Sequence, residues 1–171
     1  MIAKSLDVYV WLKLCLERDV KTYEQLGEEL GMSASEVHAA VRRGTEAGLV
    51  RSESKKVISE AFLDYLIHGV RYAFPAVSGR LARGMPTGFA APCLAGEFAE
   101  TELPAVWEHA EGTVRGQSVE PLHPSAPAAS ARDENFYRVL ALVDALRGGR
   151  ARERSAAATR LRKLLLRDAD N

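Results

Sequence analysis

Cysteine is scarce in this chain. Cys15 in a helical pattern and Cys93 in a Pro/Gly-rich stretch make no disulfide framework and stand at no zinc-ligand spacing. No uninterrupted apolar run approaches the ~18 residues of a membrane span. Asp7 and Lys13 break the N-terminal apolar stretch, and no small-residue cleavage site follows it, which predicts a soluble, cytoplasmic protein with no membrane partner. Charge of one sign is also lacking: 23 Lys and Arg face 23 Asp and Glu, which argues against an indiscriminate nucleic-acid coat. There is no Gly-x-Ser-x-Gly, no paired His at metal spacing and no Cys-x-x-Cys, and His38, His68, His109 and His123 are scattered. Glycines 79, 84, 88, 112 and 116 form no phosphate-binding motif. The expectation is a protein that is not an enzyme, with no catalytic residues, no metal and no cofactor.

What is present is helical periodicity. Residues 5 to 18 place Leu6, Tyr9, Val10, Leu12, Leu14 and Leu16 on a broad apolar face and leave Asp7, Lys13 and Glu17 for solvent. Thr22 to Leu30 opens on Thr-Tyr-Glu-Gln, a capping box in which Thr22 and Gln25 satisfy each other's amides, and Gly31 supplies the turn. Ser33-Ala34-Ser35-Glu36 repeats the signal, which predicts a helix to about Ala47 that Gly48 ends. Leu49 to Ile58, apolar at both ends around Ser52-Glu53-Ser54-Lys55-Lys56, suits a short hairpin. Ser59 to Tyr72 reads as a fourth helix on Phe62, Leu63, Leu66, Ile67 and Val70.

Between Phe74 and Ser130 fall the prolines and most of the remaining glycines, and the regular periods fade. Gly79 to Pro92 suits an ordered loop or a small hairpin, Leu103 to Ala110 a helical stretch led by Pro104, and Pro121 to Pro127 an extended connector. Asp133 to Leu146 is an amphipathic helix, Gly148-Gly149 breaks it, and Arg150 to Arg167 forms another with Leu161, Leu164 and Leu165 as its apolar row.

The segment Tyr23 to Val50 resembles the helix-turn-helix of winged-helix regulators, including the MarR-like group, in its Leu-Gly-Met-Ser, Val-x-x-x-Val and Ala-Gly-Leu-Val elements. The resemblance implies that Leu26, Leu30, Val37 and Val41 share a small core while the second helix points Ser35, His38, Ala39, Arg42 and Arg43 at a major groove, with Ser33 at its start. Ser35 and His38 would bond base edges, Ala39 would touch a thymine methyl, and Arg42 or Arg43 would reach guanine or phosphate. Lys55 and Lys56 at the tip of the wing and Arg51 at its base would clamp phosphate. Gly44 departs from the pattern, where such helices place a Leu toward the core. It needs a packing reason, such as a bulky Trp11 or Phe62, because Gly inside a helix costs roughly 0.5 to 1 kcal/mol relative to Ala.

The expected fold is mainly α: a winged helix-turn-helix with a short β-hairpin wing over residues 1 to 72, an irregular Gly/Pro-rich linker or scaffold over 73 to 131, and a C-terminal helical arm over 132 to 171. The expected function is a sequence-specific transcriptional regulator, a repressor or autoregulator, that binds double-stranded DNA as a homodimer through that arm. The alternative is an antitoxin-like or other protein-interaction module whose arm binds a protein partner. Charge leaves the choice open: residues 21 to 72 hold seven Lys and Arg against eight Asp and Glu, and residues 132 to 171 hold ten against six. In the middle, Arg71, Arg80, Arg83 and Arg115 with Tyr72, Phe74, Phe89, Trp107 and His109 could line an effector pocket, or pack as an irregular layer.

Overall fold

The computed structural model describes residues 2–99 and 103–166. The described residues are mainly helical, with one small sheet. Val8, Tyr9, Val10, Trp11 and Leu12 are all wholly buried. A helix apolar on every side has to be enclosed, and α1 (Ser5–Leu16) is the central helix of the fold. One side of it packs on α3 (Ala34–Glu46), which also packs on α2 (Tyr23–Leu30); another side packs on α7 (Glu134–Gly148).

This enclosure corrects the solvent-facing assignment of Asp7 and Lys13, which are 0% and 5% exposed. Each is held by partners from distant segments. Lys13 Nζ lies 3.1 Å from Glu17, 2.9 Å from Glu29 and 2.7 Å from Asp133, which ties α1 to α2 and to the start of α7. Lys21 adds bonds to Glu17 at 2.7 Å and Glu29 at 2.8 Å. Burial by itself would raise the Asp133 and Glu29 carboxyls, but the hydrogen bonds from these ammonium groups outweigh it and hold both below their usual values.

The fourth helix is interrupted at Gly69: α4 (Ser59–His68) gives way to a single turn, α5 (Val70–Ala73). The middle stretch is more regular than its composition suggests. β1 (Ser78–Pro86) runs antiparallel to both β2 (Ala105–Glu108) and β3 (Val114–Val119), and those two run parallel to each other, so the three strands close on themselves. Gly84 permits this closure, because a Cβ there would overlap the Trp107 backbone. The predicted helix over Leu103 to Ala110 is therefore a strand. Its β-formers Val106 and Trp107 both pair with β1, and Val106 also pairs with Ser118 of β3, so tertiary pairing overrides the weak helical pattern. The expected connector at Pro121 to Pro127 instead leads into α6 (Ala126–Arg132), with Pro127 in its first turn, where a missing N–H is tolerated.

Asp144 on α7 joins the helical layer to the sheet. Its carboxylate accepts bonds of 2.7 Å each from Thr87 Oγ1, Trp107 Nε1 and Arg147, and Arg147 also donates to the carbonyls of Phe74 and Glu120. The last helix, α8 (Ala151–Leu166), folds back on α7 and α4. Leu161 and Leu165, 0% and 2% exposed, belong to a single apolar cluster drawn from all three stretches of the chain.

Candidate nucleic-acid interface

The helix pair α2 and α3 is set by local chemistry. Thr22 Oγ1 accepts the Gln25 amide at 3.1 Å while Gln25 accepts the Thr22 amide at 2.9 Å. Gly31 ends α2 in the left-handed region at φ 71°, which a side chain would resist. Ser33 then accepts the Glu36 amide at 3.2 Å, and both its own amide and its hydroxyl donate to the Glu36 carboxylate at 2.9 Å. Ser33 thus sits at the exposed start of α3 with its hydroxyl engaged as a cap.

Residues 35, 38, 39 and 42 recur at helical spacing and share one face of α3. Ser35, His38 and Arg42 are exposed and Ala39 is half-buried, while Val37, Ala40, Val41 and Gly44 on the opposite face are buried. Arg42 is loosely placed: among the described residues its only carboxylate within reach is Glu46 at 3.8 Å, and both side chains are open to solvent, where such a pair is worth little.

Arg43 corrects the sequence-based assignment of an exposed contact residue. Its Nε and Nη2 reach Asp7 Oδ2 and Oδ1 at 2.7 Å each, a two-pronged bond, and its side chain is only 12% exposed. One step along the helix from Arg42 turns the side chain by about 100°, away from the open face and toward α1. A carboxylate buried inside an apolar helix requires a cation, and the acidic Asp7 within the Leu6 to Leu12 run was the signal in the sequence.

Gly44 has the packing reason that its departure demanded. A Cβ there would come within 2.6 Å of both Trp11 Nε1 and Val50 Cγ2. The Trp11 indole occupies the vacated space and donates to the Ala40 carbonyl at 2.9 Å, which locks α3 onto α1. The expected hairpin over residues 49 to 58 is reduced to one bridge, Val50 with Val57, closed by the Arg51 amide on the Lys56 carbonyl at 2.9 Å. Arg51, Lys55 and Lys56 are all exposed on this loop. Lys55 has φ 56°, and its ammonium lies 4.5 Å from the centre of the Tyr23 ring. Tyr23 in turn packs against His38 at 5.3 Å. Lys55, Tyr23 and His38 therefore join the loop, the start of α2 and the open face of α3.

No family model, curated protein or solved structure matches this chain.

Tyr23 was missed by sequence reasoning, although an aromatic in the first turn of α2 beside a capped α3 was a usable signal. The four arginines of the middle stretch do not converge. Arg80 pairs with Glu108, Arg83 and Arg115 stand opposite each other on β1 and β3, and Arg71 lies over the Tyr72 ring. A pocket of about 230 Å³ does lie in this region, lined by Thr87, Phe89, Gln117 and Asp144, with none of those arginines. No described helix is long and apolar enough to cross a membrane.

Proposed function

We propose that residues 5 to 72 form a winged helix-turn-helix of the MarR-like kind and that the chain is a sequence-specific transcriptional regulator, a repressor or autoregulator, acting on double-stranded DNA in the cytoplasm. The carrying observation is the row Ser35, His38, Ala39 and Arg42 on the open face of α3, flanked by exposed Arg51, Lys55 and Lys56 on the loop that serves as the wing. A helix with such a face fits a major groove: short polar and bidentate side chains read base edges, and the flanking cations neutralise phosphate. Three acidic residues of the same region stand apart from this face: Glu29 is engaged with Lys13 and Lys21, and Glu24 and Glu28 lie on the positioning helix. Glu36, whose carboxylate is held by the Ser33 cap, Glu46 beside Arg42 and Glu53 lie on α3 and the wing loop.

Such a regulator works as a homodimer, because two copies present two reading helices to half-sites about 34 Å apart. The surface for self-association lies outside the Leu161 and Leu165 row, which is part of the chain's own core. The test is a fluorescence-anisotropy titration of the full chain with duplexes tiling the DNA upstream of its own gene, against scrambled duplexes. Selective binding that falls by about 1 to 3 kcal/mol in His38→Ala and again in Arg42→Ala supports the proposal. Equal binding to every duplex, or none at moderate salt, overturns it in favour of an antitoxin-like module that docks a protein partner.

A further inference from the structure

On the side of the wing facing α4 lies a groove of about 580 Å³, with Arg18, Arg51 and Lys56 among its walls and Val57, Ile58 and Leu166 supplying apolar surface. No residue of α2 or α3 lines it. We propose that this groove is a second DNA contact, which holds the sugar-phosphate backbone beyond the bases read by α3, and that Arg18 is a phosphate-contacting residue. The proposal rests on the DNA-binding function proposed above.

Charge identifies the occupant. Arg18, Arg51 and Lys56 are exposed, and among the described residues none has a carboxylate within salt-bridge distance. The lining holds two acidic residues, Glu60 and Glu17, the latter paired with Lys13 at 3.1 Å and Lys21 at 2.7 Å, against three cations. The groove is therefore positive although the region as a whole is not. The apolar walls suit the long stems of Arg and Lys, which lie along such surface while their heads meet an anion.

Continuity with the reading face supports the same occupant. Arg18 and Lys56 also line a smaller adjoining groove that reaches Lys21, Tyr23 and Lys55, with Glu17 and Asp19 as its acidic members. A strand leaving the face of α3 thus meets cations along a continuous path around the wing. Nothing in the sequence pattern singled out Arg18. It follows the last turn of α1, and only folding brings it beside Lys56.

The experiment is a salt series of anisotropy titrations with the full chain, comparing wild type, Arg18→Ala and Arg18→Lys on the selected duplex and its scrambled counterpart. One lost phosphate contact lowers the slope of log K against log salt by about 0.9, which near ~0.1 M salt is roughly eightfold weaker binding. The expected result for Arg18→Ala is that loss on both duplexes, selectivity unchanged, and the slope restored in Arg18→Lys. An unchanged slope, or a loss confined to the selected duplex, overturns the groove assignment while DNA binding stands. Absence of binding by wild type to either duplex overturns both.

Discussion

Arg42 and Arg43 are neighbours of the same type with opposite fates, and substituting each separates the two. Arg43→Ala removes the only side chain among the described residues that bonds Asp7, whose carboxylate is 0% exposed and there keeps only the Lys4 amide at 2.8 Å. Breaking a buried ion pair by deleting one partner destabilises by about 3 to 5 kcal/mol, because the remaining charge has neither water nor a counterion. Against a total stability of about 5 to 15 kcal/mol this is a large fraction. At roughly 2 to 4 °C per kcal/mol for a chain of this size, the midpoint of thermal unfolding should fall by about 6 to 20 °C. Arg42→Ala, at an open site, should stay within about 0.5 kcal/mol of wild type. Circular dichroism during heating and urea titration measures both. If Asp7→Asn is combined with Arg43→Met, the penalty should be smaller than for Arg43→Ala, since no unpaired charge is left in the core. An Arg43→Ala protein as stable as wild type but defective in DNA binding would refute the reasoning and return Arg43 to the open face.

Gly44→Ala should destabilise by about 1 to 3 kcal/mol through overpacking against Trp11 and Val50, offset in part by the ~1 kcal/mol helix preference for Ala; chemical denaturation gives the net, and near-UV dichroism should report the displaced indole. Asp144→Ala leaves the buried Arg147 guanidinium without its counterion and the Thr87 and Trp107 donors without an acceptor, and should cost about 3 to 5 kcal/mol. Asp144→Asn, which keeps an acceptor, should cost less in the same urea titration. The Lys13 cluster predicts acid sensitivity. Glu29 and Asp133 are held below their usual values, so their contribution is complete above the unfolded pKa values near ~4 and is lost as pH falls through the lower folded values. Lys13→Met should be less stable at neutral pH and show a flatter decline in stability below pH ~4; a decline as steep as wild type would show that the cluster does not set it.

Much of the region from Thr22 to Val50 was legible in the sequence because its determinants are local. Capping boxes at Thr22 and Ser33 and the left-handed turn at Gly31 act within a few residues, so the pattern reports them directly. The inward positions Leu26, Leu30, Val37 and Val41 follow from helical spacing in the same way. What the tertiary structure decided is everything that depends on which second layer covers a surface. Asp7 and Lys13 have the spacing of solvent residues, yet α3 and α7 enclose α1, and each charge then requires a partner 36 or 120 positions away. Arg43 was drawn inward by that requirement, and β2 became a strand because β1 and β3 offered it backbone partners on both sides. Capping and periodicity are short-range interactions written in adjacent residues, whereas burial of a charge and completion of a ladder are properties of contacts that exist only once the chain has folded.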